Sequence, residues 1–242
     1  MAEHRLPDTL FWAEPESIGP DSLRLSSEES HHLLNVHRAR QGAPFQAIDG
    51  AGGFYECVLE SVDRRIAVGR IVERRTDVGE LSRPIEVLVG LPDWSGVEQV
   101  VAHGVPLGAS AFDFFPCDRS ERGSLGPQRH DRLLRIARAA LKQSRRSRLP
   151  VLRTSGSIEG AVTASVGTLR LFADPDGNPA PAAGLQPTEG AISLVIGPPG
   201  GFTEKERRFL LDKDFSPISL GPSRLTTETA ALALISLARN HL

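Results

Sequence analysis

Cysteine is scarce. Cys57 and Cys117 are the only two among 242 residues, far apart and outside any CxxC pairing. That excludes a disulfide framework and a structural zinc cage, and two reduced thiols suit a cytoplasmic protein. Excess charge of one sign is also missing. The formal net charge is −2, so no global positive field announces a nucleic-acid partner, and local clustering has to carry that argument. No apolar run approaches membrane-spanning length. Met1-Ala2-Glu3-His4-Arg5 leads into no signal-peptide core, which adds to the cytoplasmic expectation. His31, His32 and His37 have no Cys or acidic partner at ligand spacing, so no metal is expected. No Ser/His/Asp constellation is legible either.

The bulk of the chain is ordinary, with 40% hydrophobic and 24% charged residues, enough to bury a core. Two patterns share it. Up to about residue 75, short alternating segments are punctuated by turns. Phe45 to Ile48 precedes Asp49-Gly50-Ala51-Gly52-Gly53, then come Phe54 to Glu60 and Arg65 to Val72. These predict a small β-barrel, entered by a short helix from His31 to Arg38 that starts at Ser26 or Ser27. Residues 74–84 form a polar linker. From 84 to 242, apolar strands alternate with helices, which implies an α/β domain with a mostly parallel sheet. Its expected strands include Ile85 to Gly90, Leu169 to Ala173 and Ala191 to Ile196. Its expected helices start at a Ser95/Glu98 capping box and a Thr203/Glu206 capping box, run from Arg129 to Arg148, and close the chain from about Thr229. The stretch from Asp174 to Gly190 has loop composition.

Three segments carry chemistry. In Ile196-Gly197-Pro198-Pro199-Gly200-Gly201-Phe202, an apolar strand enters a Gly/Pro loop and a capped helix follows. Ligands of open α/β sheets sit at the carboxyl ends of strands, and glycines let the backbone approach them. No Gly-Lys-Ser/Thr follows and the GxGxxG pattern is absent, so neither a P-loop nor a dinucleotide fingerprint is present; an ordinary tight turn is the competing reading. In Leu220-Gly221-Pro222-Ser223-Arg224-Leu225-Thr226-Thr227-Glu228-Thr229-Ala230, a strand end again meets a loop and a helix start. Between residues 119 and 148 lie ten of the 28 basic residues, including Arg122, Arg135, Arg138, Lys142, Arg145 and Arg146. Such a cluster can neutralise phosphates, although a solvated helix face in an Arg-rich chain has the same composition.

Taken in order, these segments resemble the 16S ribosomal RNA uridine-N3 methyltransferase family, small subunit methyltransferase E, of the SPOUT class. His31-His32-Leu33 to Arg38 with Asp49-Gly50 and Gly53 is similar to its PUA-like barrel. Gln143-Ser144 with Arg146, the Gly197-Pro198-x-Gly200-Gly201-Phe202 loop with Glu206, and Leu220-Gly221 with Thr227-Glu228-Thr229-Ala230 are similar to its later elements. The resemblance implies residues 1–75 as a PUA-like RNA-binding barrel and residues 84–242 as a trefoil-knotted SPOUT domain. It implies a homodimer acting on 16S rRNA or the small ribosomal subunit, with S-adenosyl-L-methionine as cofactor. Ala173, Ile196, Gly197, Pro198, Gly200, Gly201, Leu220, Ser223, Leu225, Thr229 and Ala230 would hold the cofactor. Arg146 and Glu228 would be catalytic, and His32, Arg38, Arg135, Arg138, Lys142 and Arg145 would touch RNA. The chain departs from the family pattern near the pocket, at Pro199, Ser223, Thr226, Pro106, Ala139 and Asp93 or Trp94. Those departures motivate an alternative, a relative that binds RNA or the ribosome without transferring methyl groups.

Overall fold

A computed structural model describes residues 9–120, 125–179 and 189–239. Met1 to Arg5, Arg122 of the basic cluster and residues 180–188 of the loop-like stretch lie outside the described residues. By contacts, the chain divides into two units. One takes residues up to Glu80 together with Leu141–Leu149, the other takes Leu81–Ala140 and everything from Pro150 on. The sequence expectation drew one boundary, between residues 75 and 84.

The first unit is an open barrel. Its strands are β1 (Leu10–Trp12), β2 (Ser22–Arg24), β3 (Pro44–Ile48), β4 (Gly53–Asp63) and β5 (Ile66–Thr76), in the order β1-β3-β4-β5-β2. Only β1 and β3 run parallel. Alternation on β4 sends Tyr55, Cys57 and Leu59 inward against Phe11, Phe45 and Ala67. Helix α1 (Ser27–His31) is capped by Ser26, whose oxygen accepts the Glu29 N–H at 3.2 Å. The expected single helix from His31 to Arg38 is not what forms. The backbone widens into a π-helical turn over His32–Val36 and leaves the helix at Arg38, which has φ 53°.

The second unit carries a six-stranded sheet in which every pairing is parallel. Its elements are β6 (Ile85–Gly90), α2 (Trp94–Gly104), β7 (Ala109–Phe115), α3 (Pro127–Ser144), β8 (Val151–Thr154), α4 (Ile158–Ala164), β9 (Leu169–Pro179), β10 (Ile192–Ile196), α5 (Glu204–Asp212), β11 (Ser216–Ser219) and α6 (Thr227–Arg239). The strand order is β11-β9-β10-β6-β7-β8. Every residue of β6 and β10 is buried, which explains why both are largely apolar, with only Glu86 and Ser193 polar. Leu88, Phe115, Phe172 and Val195 pack against Ile158, Ala161 and Val162 of α4 and Leu210 of α5, and α6 packs against α2, β6 and β10. The one acid on β6, Glu86, is satisfied by Ser193 Oγ and Val166 N–H, both at 2.9 Å, and by Arg153 at 3.1 Å.

Three expectations fail here. The expected Ser95/Glu98 capping box lies inside α2. Asp93 caps that helix instead, its oxygen accepting the Gly96 N–H at 2.7 Å, and Glu98 is spent on an ion pair with Arg132. Asp93→Ala is therefore expected to cost about 1 kcal/mol in urea unfolding, and Ser95→Ala a few tenths at most. Helix α3 stops at Ser144, short of the expected Arg148. Arg145 takes φ 59°, and the Arg145 and Arg146 N–H groups reach back to the Lys142 and Leu141 carbonyls. This paired closure ends a helix wherever a residue accepts the left-handed conformation. The stretch after Ala173 is not all loop, because β9 continues to Pro179 and pairs with β11 across a register shift at Pro217/Ile218.

Candidate active site

Strand β10 ends at Ile196, and the chain turns over the carboxyl end of its neighbour β6. A Cβ on Gly90, the last residue of β6, would sit 2.8 Å from Pro198 N and 2.8 Å from Cys117 Sγ. The absence of that side chain is what lets the loop lie on the strand end. Gly201, at φ 69°, then donates to the Pro198 carbonyl at 2.8 Å and closes the turn. Thr203 and Glu206 form the expected capping box at the start of α5. The other Glu206 oxygen accepts the Asp118 N–H at 3.0 Å, tying the end of β7 to the same helix start. Burial, and then the Glu206 carboxylate, push the Cys117 thiol far above its usual range, so it is a neutral packing group and no nucleophile.

The loop's carbonyls are held from two sides. Thr227, 4% exposed, donates its hydroxyl to the Gly197 carbonyl at 3.0 Å. Arg224 donates to the Pro199 carbonyl at 3.3 Å. From the segment after β7, Arg119 donates to the Gly200 carbonyl at 3.1 Å and the Phe202 carbonyl at 3.3 Å. Between this loop and the segment 220–227 lies a cavity of about 540 Å³, within the range of small-molecule sites. Thr227→Val removes one tether, leaving an acceptor buried without its donor. It is expected to weaken cofactor binding about fivefold, or roughly 1 kcal/mol, in a calorimetric titration.

Of the residues the sequence singled out for a cofactor, Ala173, Ile196, Gly197, Pro198, Gly200, Gly201, Leu220, Ser223, Leu225 and Ala230 line this cavity. Thr229 does not. Its N–H and hydroxyl engage Thr226 Oγ1 at the start of α6, on a different side of the helix from Ala230. The sequence reading missed the polar wall. Asp174, 6% exposed, is held by Arg207 at 2.6 Å and accepts the Asp176 N–H at 2.9 Å. That hydrogen-bonded carboxylate raises the Arg207 pKa. Asp174, Asp176, Arg207, Arg119 and Arg224 all line the cavity. Asp174 directly follows an apolar run, a signal that could have been taken. Arg119 is 81 residues from the carbonyl it holds, and no local pattern marks it.

Neither Arg146 nor Glu228 lines the cavity. Arg146 is 3% exposed and ion-paired with Glu80 at 2.6 Å. Glu228 is half-buried in the first turn of α6, where a carboxylate favours the helix dipole. Of the expected RNA contacts, Arg135, Arg138 and Lys142 share one stripe of α3 and Arg145 lies just beyond its end. Arg135 is exposed and Arg138 half-buried on α3. Lys142 is paired with Glu29 at 2.5 Å, and Arg145 leaves the helix to bond Gln46 at 2.5 Å. His32 is half-buried, its ring 4.8 Å from that of His37 and 5.8 Å from that of Phe11, and Arg38 is exposed. Among the described residues, no group of three or more His, Cys, Asp or Glu could hold a metal ion, and no helix is long and apolar enough to cross a membrane.

Comparison with known proteins matches the same two regions. Residues 79–239 match an RNA methyltransferase domain, and residues 25–72 an RNA methyltransferase PUA domain. Ribosomal RNA small subunit methyltransferase E of Synechocystis sp. is 31% identical over 232 residues, covering 92% of this chain and 75% of the relative. The Mycobacterium tuberculosis protein of the same name is 31% identical, covering 86% and 82%. A probable rRNA-methyltransferase from Porphyromonas gingivalis superposes with a TM-score of 0.83 at 28% identity, covering 96% of this chain and 98% of that one. A Neisseria gonorrhoeae ribosomal RNA small subunit methyltransferase E, solved bound to S-adenosyl methionine, shares the fold with a TM-score of 0.81 at 23% identity, covering 96% and 97%. With two domains matched in order and nearly the whole chain aligned, this protein belongs to the ribosomal RNA small subunit methyltransferase E family.

Proposed function

We propose that this chain transfers the methyl group of S-adenosyl-L-methionine to uridine N3 in 16S ribosomal RNA. The observation that carries this reading is the cavity at the carboxyl edge of β10, built from the 197–201 loop and the 220–230 segment. The residues present fit the cofactor. Ile196, Leu220, Leu225 and Ala230 offer an apolar wall for a purine ring, and the glycines bring main-chain donors and acceptors within reach of its polar edge. Asp174 and Asp176 bring acidic side chains to a site that would take a cation. When bound, the cofactor supplies an electrophilic methyl group on a sulfonium sulfur.

The protein's part is to hold the base, accept or steer the N3 proton, and stabilise negative charge spreading to the flanking carbonyl oxygens. Glu228 is assigned the proton, as base or positioning carboxylate, and Arg146 the developing negative charge. Glu228 does not line the cavity, and the reading has a homodimer complete the site. The barrel, residues 1–75, and the cations Arg38, Arg135, Arg138, Lys142 and Arg145, with His32, hold the RNA. Residues 84–242 form the knotted SPOUT domain, with the 220–227 segment hydrogen-bonded to the 197–201 loop where the chain would thread. Two free cysteines fit a cytoplasmic enzyme.

The test is transfer of a labelled methyl group to small subunits lacking the modification, followed by nucleoside analysis. Recovery of 3-methyluridine is expected, and intact cofactor binding with no transfer overturns the reading. The competing reading, an RNA-binding relative without transfer, draws on Arg146 being engaged by Glu80. It requires that calorimetry find no cofactor affinity.

A further inference from the structure

Three arginines line the cavity, and they are not equivalent. Arg207 is neutralised by Asp174 at 2.6 Å and approached by Glu204 at 3.4 Å. Arg119 and Arg224 differ in three ways. Both are exposed, both reach the same loop from opposite sides of the sequence, and their hydrogen-bond partners among the described residues are main-chain carbonyls only. The carbonyls they hold belong to consecutive residues, Pro199 and Gly200, so both side chains converge on one short stretch of backbone. A carbonyl orients a guanidinium without cancelling its charge. Each guanidinium has five N–H donors, and these contacts occupy only part of them. Asp176 is the remaining acid of the cavity lining, and it is exposed to solvent. Among the described residues, two oriented positive charges without an acidic partner therefore line a cavity that also has apolar wall residues, Ile196, Leu220, Leu225 and Ala230.

We infer that Arg119 and Arg224 form a clamp for an RNA backbone phosphate at this cavity, fixing the nucleotide whose base enters it. This rests on the RNA methyltransferase reading above and deepens it. Planar guanidiniums suit phosphate oxygens, because two parallel N–H donors match two oxygens. Contacts to phosphate set register and carry no sequence information, so the pair positions the target and leaves base choice to the cavity. The same chemistry also fits the α-carboxylate of an amino-acid-bearing cofactor, and the two sources predict different results.

The test uses the full-length protein with Arg119→Gln, Arg224→Gln and the double variant. Glutamine retains a donor for the loop carbonyl and removes the charge. Cofactor affinity is read by calorimetry. Affinity for a 16S rRNA fragment is read over a range of salt concentrations. The expected result is a loss of cofactor affinity no larger than the roughly fivefold expected from weakening one loop tether, and smaller than the loss for RNA. RNA affinity falls about tenfold for the double variant, and the slope of log affinity against log salt becomes shallower by roughly 0.7–0.9 in that variant, as expected for the loss of one phosphate contact. A purely structural role would leave that slope unchanged, and an unchanged slope overturns the inference. So does a tenfold loss of cofactor affinity with RNA binding intact, which would assign the pair to the cofactor carboxylate. Wild-type protein that binds no RNA at all would fail the functional reading itself, a separate outcome.

Discussion

Ala230→Phe is expected to abolish cofactor binding while the fold survives. Ala230 sits in the first turns of α6, half-buried, with its methyl group on the cavity wall opposite the 197–201 loop. Its neighbour Ala231 is fully buried against the domain core and belongs to a different face. A phenyl ring at 230 has room on the cavity side, because the core side of the helix is already filled by Ala231, Leu234, Ile235 and Ala238. The helix is not weakened at its start, since Thr226 and Thr227 retain their hydrogen bonds to Thr229 and to the Gly197 carbonyl. Binding should therefore fall at least about 100-fold, or roughly 2.7 kcal/mol. Stability should change by no more than about 1 kcal/mol, as for substitutions that create no core clash. Calorimetry with S-adenosyl-L-methionine and a thermal melt decide the matter together. Unchanged cofactor affinity in a folded variant would place the cofactor elsewhere. Ala230→Gly serves as the control, since it should leave the cavity open.

How much of this could be read in the sequence depended on the range of the interaction. The strands β6 and β10 were legible because burial on both faces makes both largely apolar, and the cap of α5 because Thr203 and Glu206 stand three residues apart. The loop 197–201 was legible as a Gly/Pro turn between a buried strand and a capped helix, and it lines the cavity. Local rules misplaced the start of α2, because Asp93 and Ser95 are both good caps and only the chain's path after Pro92 chooses between them. They also carried α3 too far. Nothing in Arg145 announces a left-handed residue, a conformation usually left to glycine. The polar wall of the site was hidden for a different reason. Asp174 meets Arg207 across 33 residues, and Arg119 meets Gly200 across 81, so charge pairing there is a product of the sheet order and not of spacing. The basic stripe shows the same limit, since nothing local to Lys142 announces its ion pair with Glu29, 113 residues away.

Glu80→Ala is expected to be the most destabilising single change in the first unit. The Glu80 side chain is 12% exposed and that of Arg146 3%, so the pair is nearly withdrawn from water. One carboxylate oxygen accepts from Arg146 Nη2 at 2.6 Å and Nε at 3.2 Å. The other accepts the Ser147 and Arg148 N–H groups at 3.1 and 2.9 Å. One side chain thus organises the whole segment that follows α3, and Gly79 beside it is packed against the Arg145 carbonyl. Truncation removes the Glu80 carboxylate from a buried guanidinium and an acceptor from two main-chain donors. Breaking a buried pair this way costs about 3–5 kcal/mol, so the unfolding midpoint should fall by roughly 10 °C in a chain of this size. Arg146→Met in the same background should restore part of the loss, because the buried charge goes with it. Glu80→Gln should fall between, keeping an acceptor but not the charge. If Glu80→Ala costs under about 1 kcal/mol, the pair is not structurally committed, and Arg146 is freer to act on a substrate than its burial implies. If the full penalty appears, any contribution of Arg146 to methyl transfer must be made from a guanidinium already fixed by Glu80. Arg146→Lys should then lose activity through misplacement, with kcat falling and the cofactor Kd unchanged.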